Sequence, residues 1–244
     1  MMIDPYPSLT VGLDLGQAHD YSALAVVEHV QVLPEDWPME RYLRHRQRQQ
    51  EIWASGRGDY VSMPTIREEF WVRHLQRWAI GTPYHEVVRG VGGLLSRPEL
   101  LGARLYYDRT GVGAPVGDSL WQAYTDGRMG RSMPNGVTIT GEGGDRSYAK
   151  RDLMQALQLP IQQGRFRVPQ RLPLASVLER ELSSFQMKLT PSGRATFDIA
   201  RREGEGHGDL VLAVSLAVID PGYKVVPRLV ETAGRADLMD GGPK

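Results

Sequence analysis

Val11-Gly12-Leu13-Asp14-Leu15-Gly16 runs on through Gln17-Ala18-His19 to Asp20 and the apolar stretch Ala23-Leu24-Ala25-Val26-Val27. Val11, Leu13 and Leu15 alternate as a short buried strand, Gly16 opens a turn, and the second stretch predicts a strand returning beside the first. The expected unit is a hairpin with a carboxylate at its mouth. An aspartate at the end of a core strand is poorly solvated on the strand side. It stays ionised only where a cation or hydrogen-bond donors compensate it. A metal ion is the obvious candidate; the plainer alternative is that Asp14 makes a turn with Gly16 and nothing more.

Working outward, Arg104-Leu105-Tyr106-Tyr107-Asp108 predicts a second strand that ends in an aspartate, followed by Gly111, Gly113 and a helix over 114–124. A glycine loop leading into a helix amino terminus favours anions. It is not a P-loop, because the chain holds no Gly-Lys-Ser or Gly-Lys-Thr. Near the other end, Gly206-His207-Gly208-Asp209 leads into the apolar run 210–219. A helix apolar on nearly every side must be buried against the sheet. Asp209 stands at its amino end, where an aspartate is equally a helix cap. If the strand ending at Asp108 lies parallel to and beside the one ending at Asp14, both carboxylates emerge at one sheet edge. The buried helix can bring Asp209 to the same place. Three anions in one poorly solvated site need a compensating charge, and oxygen ligands without cysteine favour magnesium or manganese over zinc.

The intervening chain reads as alternating strands and helices, hence α/β. Residues 35–58 are polar and look like an insertion, with 39–53 compatible with a helix. Residues 70–78 partly alternate as a half-exposed edge strand would, and Thr82-Pro83 reads as cap and first turn of a helix ending near Pro98. A strand over 137–140, a mobile glycine loop over 141–144 and a helix over 147–163 are expected next. A short strand over 165–168, a helix over 174–187 and a strand over 195–200 complete the chain up to the final helix.

Composition sets the outer limits. The 244 residues are 41% hydrophobic and 24% charged, ordinary for a globular protein of one or two domains. No cysteine is present, which excludes disulfides, thiolate metal sites and thiol nucleophiles. The amino terminus lacks a basic segment followed by a long apolar one, and the apolar run 210–219 is too short to span a bilayer, so no membrane association and a cytoplasmic location are expected. Net charge is zero, which supplies no global electrostatic case for nucleic acid. Arginines nevertheless cluster at Arg41, Arg44, Arg46 and Arg48, at Arg128 and Arg131, at Arg146 and Arg151, and at Arg165, Arg167 and Arg171. Guanidinium groups suit bidentate phosphate contacts, although each cluster is equally a solvated face.

The ordered set of these stretches resembles the nuclease domain of phage terminase large subunits, in the RNase H-like superfamily. The resemblance is carried by Gly12-Leu13-Asp14 with Asp20-Tyr21-Ser22-Ala23, Tyr84-His85-Glu86-Val87-Val88, Tyr107-Asp108-Arg109-Thr110-Gly111-Val112-Gly113, Lys150-Arg151-Asp152-Leu153, Leu178-Glu179-Arg180-Glu181-Leu182 and His207-Gly208-Asp209-Leu210. It spans roughly residues 10–220. It implies an RNase H-like mixed sheet of five or more strands, the first three antiparallel and the others parallel, flanked by helices on both faces. One nuclease domain over 1–225, with 35–58 inserted, and a tail over 226–244 are expected.

The resemblance also implies metal-dependent endonuclease cleavage of double-stranded DNA with two Mg2+ or Mn2+ ions about 3.5–4 Å apart. By position, Asp14, Asp108 and Asp209 look like the catalytic metal-binding acids, Asp20 like an additional ligand, and His207 like a neighbour of the second ion. Lys150, with Arg109, Arg146 and Arg151, looks like a holder of the DNA backbone. A phage-encoded protein of this kind would work in the host cytoplasm with a portal protein, a terminase small subunit or a separate packaging ATPase. The motor domain of a complete large subunit has no counterpart here, which leaves an excised domain, a separate nuclease or a prophage remnant. Two alternatives differ in class. Gly12-Leu13-Asp14-Leu15-Gly16 also resembles the first phosphate loop of actin-like and type III pantothenate kinases, although Gln17-Ala18 replaces the expected Asn-Thr or Thr-Thr pair. The other is a packaging protein that binds DNA without cutting it.

Overall fold

The computed structural model describes residues 8–16, 20–140, 147–189, 195–199, 208–219 and 228–231. The opening hairpin is β1 (Leu9–Asp14) and β2 (Ala23–Val32), antiparallel, with Asp14 opposite Ala23. Helix α1 (Met39–Ala54) follows, then β3 (Arg67–Arg77), antiparallel to β2. Next come α2 (Tyr84–Leu95), β4 (Arg104–Asp108), α3 (Gly113–Thr125), β5 (Pro134–Thr140), β6 (Ser147–Ala149) and α4 (Lys150–Gln162). The chain closes with β7 (Phe166–Arg167), α5 (Ala175–Ser183), β8 (Phe185–Leu189), β9 (Ala195–Ile199), α6 (Asp209–Val218) and β10 (Arg228–Val230).

The main sheet has the order β6-β5-β4-β1-β2-β3-β7, and β8 pairs with β9 in a separate ribbon. The first three strands are antiparallel, whereas β4, β5, β6 and β7 join in parallel, as expected. Strand β1 pairs with β2 only as far as Glu28, and β10 then lies parallel to β2 over Val30–Val32. Residues 228–230, within the stretch expected to be a tail, thus extend the sheet. Among the described residues no helix is long and apolar enough to cross a membrane.

Strand periodicity sorts β1 between two cores. Val11 and Leu13 pack with Val87, Val91, Leu95, Leu120 and Leu105, the side of α2 and α3. The opposite face meets α6, whose Leu210, Val211, Val214 and Leu216 are buried beside α4 and α5 residues Leu153, Leu157 and Leu178. Burying each of those aliphatic side chains contributes about 1.5–3 kcal/mol, which explains why so apolar a helix lies on the sheet.

Several local expectations differ from the structure. Residues 147–149 form β6 before α4 begins, because they pair with β5 at Thr138–Thr140. The helix expected over 174–187 stops at Ser183, and Phe185 already belongs to β8. Thr82 is not the cap of α2: its hydroxyl donates to Ala79 O at 2.7 Å, and Pro83 holds the capping position. Strand β3 is not a plain half-exposed edge, since β7 pairs at Phe70 and Trp71, and Trp71, Val72 and Leu75 are buried. The glycine loop expected over 141–144 lies outside the described residues.

Candidate active site

The parallel register of β1 and β4 pairs Leu13 with Tyr107. The next residue on each strand is the aspartate, so Asp14 and Asp108 leave adjacent strands at the same edge. The third carboxylate arrives by a close approach of backbones. A Cβ on Gly12 would stand 1.9 Å from Ala213 O and 2.8 Å from Ala217 N, so only glycine lets α6 lie this near β1. One step back along the strand, Thr10 Oγ1 donates to Ala217 O at 2.5 Å. The helix therefore runs opposite to β1. From Ala213 back to Asp209 it advances about 6 Å at 1.5 Å per residue, while β1 advances about 6.6 Å from Gly12 to Asp14. Because the two rises match, Asp209 comes level with Asp14.

The electrostatics record this convergence. Burial, followed by repulsion from Asp209 and Asp108, pushes the Asp14 carboxyl well above the usual carboxylate range; Lys150 pulls it down and Asp20 adds to the push. Burial also raises Asp108, against hydrogen bonds from Thr110 and the charge of Lys150. The Thr110 amide donates to Asp108 Oδ1 at 2.8 Å, and the Thr110 hydroxyl accepts from Ile139 N at 3.0 Å, stitching the loop to β5. Gly113 serves the same loop: its missing Cβ would sit 1.9 Å from Asp108 O.

Asp209 does not cap α6. Gly208, at φ 83°, holds the capping position, and Glu181 of α5 supplies the acceptor. Its Oε2 accepts from Leu210 N at 3.0 Å and Val211 N at 3.2 Å. Glu181 in turn pairs with Arg77, which also reaches Asp209 Oδ2 at 3.7 Å and lies over the Tyr21 ring at 4.5 Å. Burial raises the Glu181 carboxyl, against Arg77 and the two helix amides that hold it down.

Arg77 is on this face because of a bulge. Ala23, Ala25 and Val27 face α6 and oppose Arg77, Leu75 and Val72, so β3 spends one extra residue between Val72 and Leu75. Were β3 to pair regularly, without the bulge, Arg77 would fall five positions after Val72 and face the other side. Asp14, Ala23 and Arg77 then lie in one row across the sheet, with Asp14 and Arg77 about 9.6 Å apart at two strand spacings.

Of the sequence-derived candidates, Asp14, Asp20, Asp108, Asp209 and Lys150 share one electrostatic neighbourhood. Among the described residues no three acidic or histidine side chains already form a metal-holding cluster. Arg109 lies against Gly136, and Arg151 pairs with its neighbour Asp152 at 3.3 Å. His207 and Arg146 lie outside the described residues. Sequence reasoning missed Arg77 and did not single out Glu181; the only signal was an acidic residue on the buried side of Leu178-Glu179-Arg180-Glu181-Leu182. It quoted Tyr84 without giving it a role: the Tyr84 hydroxyl donates to Gly16 O at 2.8 Å while Gly16 N donates to Ser22 Oγ at 3.1 Å. A cleft of about 350 Å³ opens beside this turn, lined by Asp20, Ser22, Ala79, Thr82 and Tyr84.

The sheet order, the parallel β1–β4 step and the helices on both faces make a mixed α/β fold that is similar to that of solved large terminase nucleases. The large terminase nuclease of thermophilic phage G20c with bound magnesium superposes with a TM-score of 0.50 at 20% identity, over 86% of this chain and 79% of that one. The large terminase nuclease domain of Thermus phage P74-26 gives 0.49 at 19% identity, over 86% and 77%. The g2p large terminase nuclease domain of bacteriophage SPP1 with bound Mn gives 0.45 at 10% identity, over 87% and 85%. Compared by sequence, the chain matches no family model and no curated protein.

Proposed function

We propose that the protein is a metal-dependent endonuclease that hydrolyses phosphodiester bonds of double-stranded DNA, as a nuclease of the phage packaging type. The observation that carries the reading is the convergence of Asp14, Asp108 and Asp209, felt at Asp14 as repulsion from both others. Such a site carries more negative charge than burial tolerates, and its donors are carboxylate oxygens; both properties fit a hard divalent cation, Mg2+ or Mn2+. Asp14, Asp108 and Asp209 would hold two ions, with Asp20 as an additional ligand and His207 near the second. Bound there, the ions would supply an activated water and charge stabilisation for the departing 3′ oxygen.

The chain's own part is to orient. The Thr110 amide fixes one oxygen of Asp108, α6 carries Asp209 level with Asp14, and Lys150, whose charge is felt at Asp14 and Asp108, would offer a cation to the scissile phosphate. Arg109, Arg146 and Arg151 would hold backbone phosphates without reading sequence. Residues 1–225 would form one nuclease domain with 35–58 inserted, acting in the host cytoplasm beside a portal protein, small subunit or separate ATPase. The kinase-like alternative asks the Gly16 turn to offer amides to phosphate, but that amide already donates to Ser22 Oγ.

Incubation of supercoiled plasmid with the protein in Mg2+, Mn2+ or chelator tests the reading. Nicking with either ion, lost in chelator and in folded Asp14→Asn and Asp108→Asn variants, is the expected result. Intact plasmid with both ions overturns it, and undiminished cleavage by Asp108→Asn removes that residue from the site.

A further inference from the structure

Arg77 is a cation beside the helix end that delivers Asp209, and it is shared. It pairs with Glu181 and also reaches Asp209 Oδ2 at 3.7 Å. Both carboxylates are buried, Glu181 at 5% exposure and Asp209 at 3%, so water screens their competition for one guanidinium poorly. We propose that Arg77 and Glu181 are positioning residues that set how readily Asp209 accepts a divalent cation. Glu181 draws the charge of Arg77 onto itself while capping α6, and so leaves Asp209 available to an ion.

The geometry supports this division of labour. The capping amides Leu210 N and Val211 N both donate to Glu181 Oε2, whereas Arg77 reaches the other oxygen, Oε1. The cap and the ion pair therefore use different atoms of one carboxylate and are separable by mutation. In Glu181→Gln the side-chain oxygen still accepts from α6, but the negative charge that occupies Arg77 is gone. Arg77 then has Asp209 as its remaining carboxylate in this cluster and competes with an incoming cation for it.

The inference rests on the metal-dependent reading above, and its test separates the two. Calorimetric titration of MnCl2 into the folded protein in the absence of DNA measures binding without cleavage. Removal of a group that orients a metal ligand typically costs about 10–100-fold in affinity, and a loss in that range is expected for Glu181→Gln with its thermal stability largely kept. The double variant Arg77→Met/Glu181→Gln removes the competing cation together with its partner, and its affinity should return to the wild-type value or exceed it. A purely structural role predicts the opposite order, with the double variant weaker than the single one. Equal affinity in wild type and Glu181→Gln, or a double variant weaker than Glu181→Gln, overturns the inference. If Glu181→Gln does not fold, the charge-balanced double variant alone decides it, by binding at least as tightly as wild type or not. No Mn2+ binding by the wild-type protein overturns the metal reading itself, and this inference falls with it.

Discussion

Gly12→Ala tests whether α6 delivers Asp209 through its contact with β1. The added methyl carbon would stand 1.9 Å from Ala213 O and 2.8 Å from Ala217 N. An unstrained carbon–oxygen approach is about 3.3 Å or more, so α6 must retreat by about 1.4 Å. Both obstacles are backbone atoms of a buried helix, so no side chain can rotate away. Overpacking of this kind costs ~1–3 kcal/mol, and backbone obstacles place Gly12→Ala near the upper end. For a chain of this size a loss of about 3 kcal/mol lowers the melting temperature by roughly 6–12 °C. The same retreat moves Asp209 relative to Asp14 and Asp108, and a displacement of about 1 Å at a reacting site costs on the order of 100-fold in rate. Urea denaturation and plasmid nicking at saturating Mn2+, both below the variant's melting range, measure the two effects. A Gly12→Ala protein within about 0.5 kcal/mol of wild type, with wild-type cleavage, would refute the close approach of α6 and the delivery of Asp209 by it.

Two further outcomes follow from named contacts. Burial and the neighbouring carboxylates raise Asp14, so the folded protein keeps that proton to higher pH than the unfolded chain. The stability this group contributes is present below the unfolded value of about 3.9 and is lost as pH rises through the raised folded value. In chelator, Asp14→Asn should therefore melt higher than wild type at pH 7–8, with the gap closing toward about pH 4; a variant that melts lower at pH 8 contradicts the electrostatic crowding. Gly113→Ala would place a methyl carbon 1.9 Å from Asp108 O, and should lose about 2–3 kcal/mol in urea together with cleavage. A variant with wild-type stability would show that the loop does not close on that carbonyl.

Much of the architecture was legible in the chain. Alternation at Val11, Leu13 and Leu15 marked β1, and the apolar run after Asp209 marked a helix that had to be buried. The two strands ending in Asp14 and Asp108 pointed to a shared sheet edge, and β1 and β4 pair in parallel in that register. Local competition explains the misses. Residues 147–149 are compatible with a first helical turn, yet pairing with β5 wins, because a strand's hydrogen bonds depend on a partner outside the segment itself. Asp209 had the residue type and place of a helix cap, but Glu181 fills that role from another helix.

What the sequence determined by itself was local: the periods of the strands, the apolar girth of α6, the glycines at 12 and 113, and the identity of the carboxylates. Only the tertiary structure decided that Gly12 is a seat for α6, that Asp209 comes level with Asp14, and that Arg77 faces them both. The last depends on the bulge in β3, which takes one residue out of the alternation and so keeps Arg77 on the α6 face. A bulge leaves no mark on hydrophobic alternation until the partner strand sets the register, so the cation beside Asp209 became visible only when the sheet was assembled.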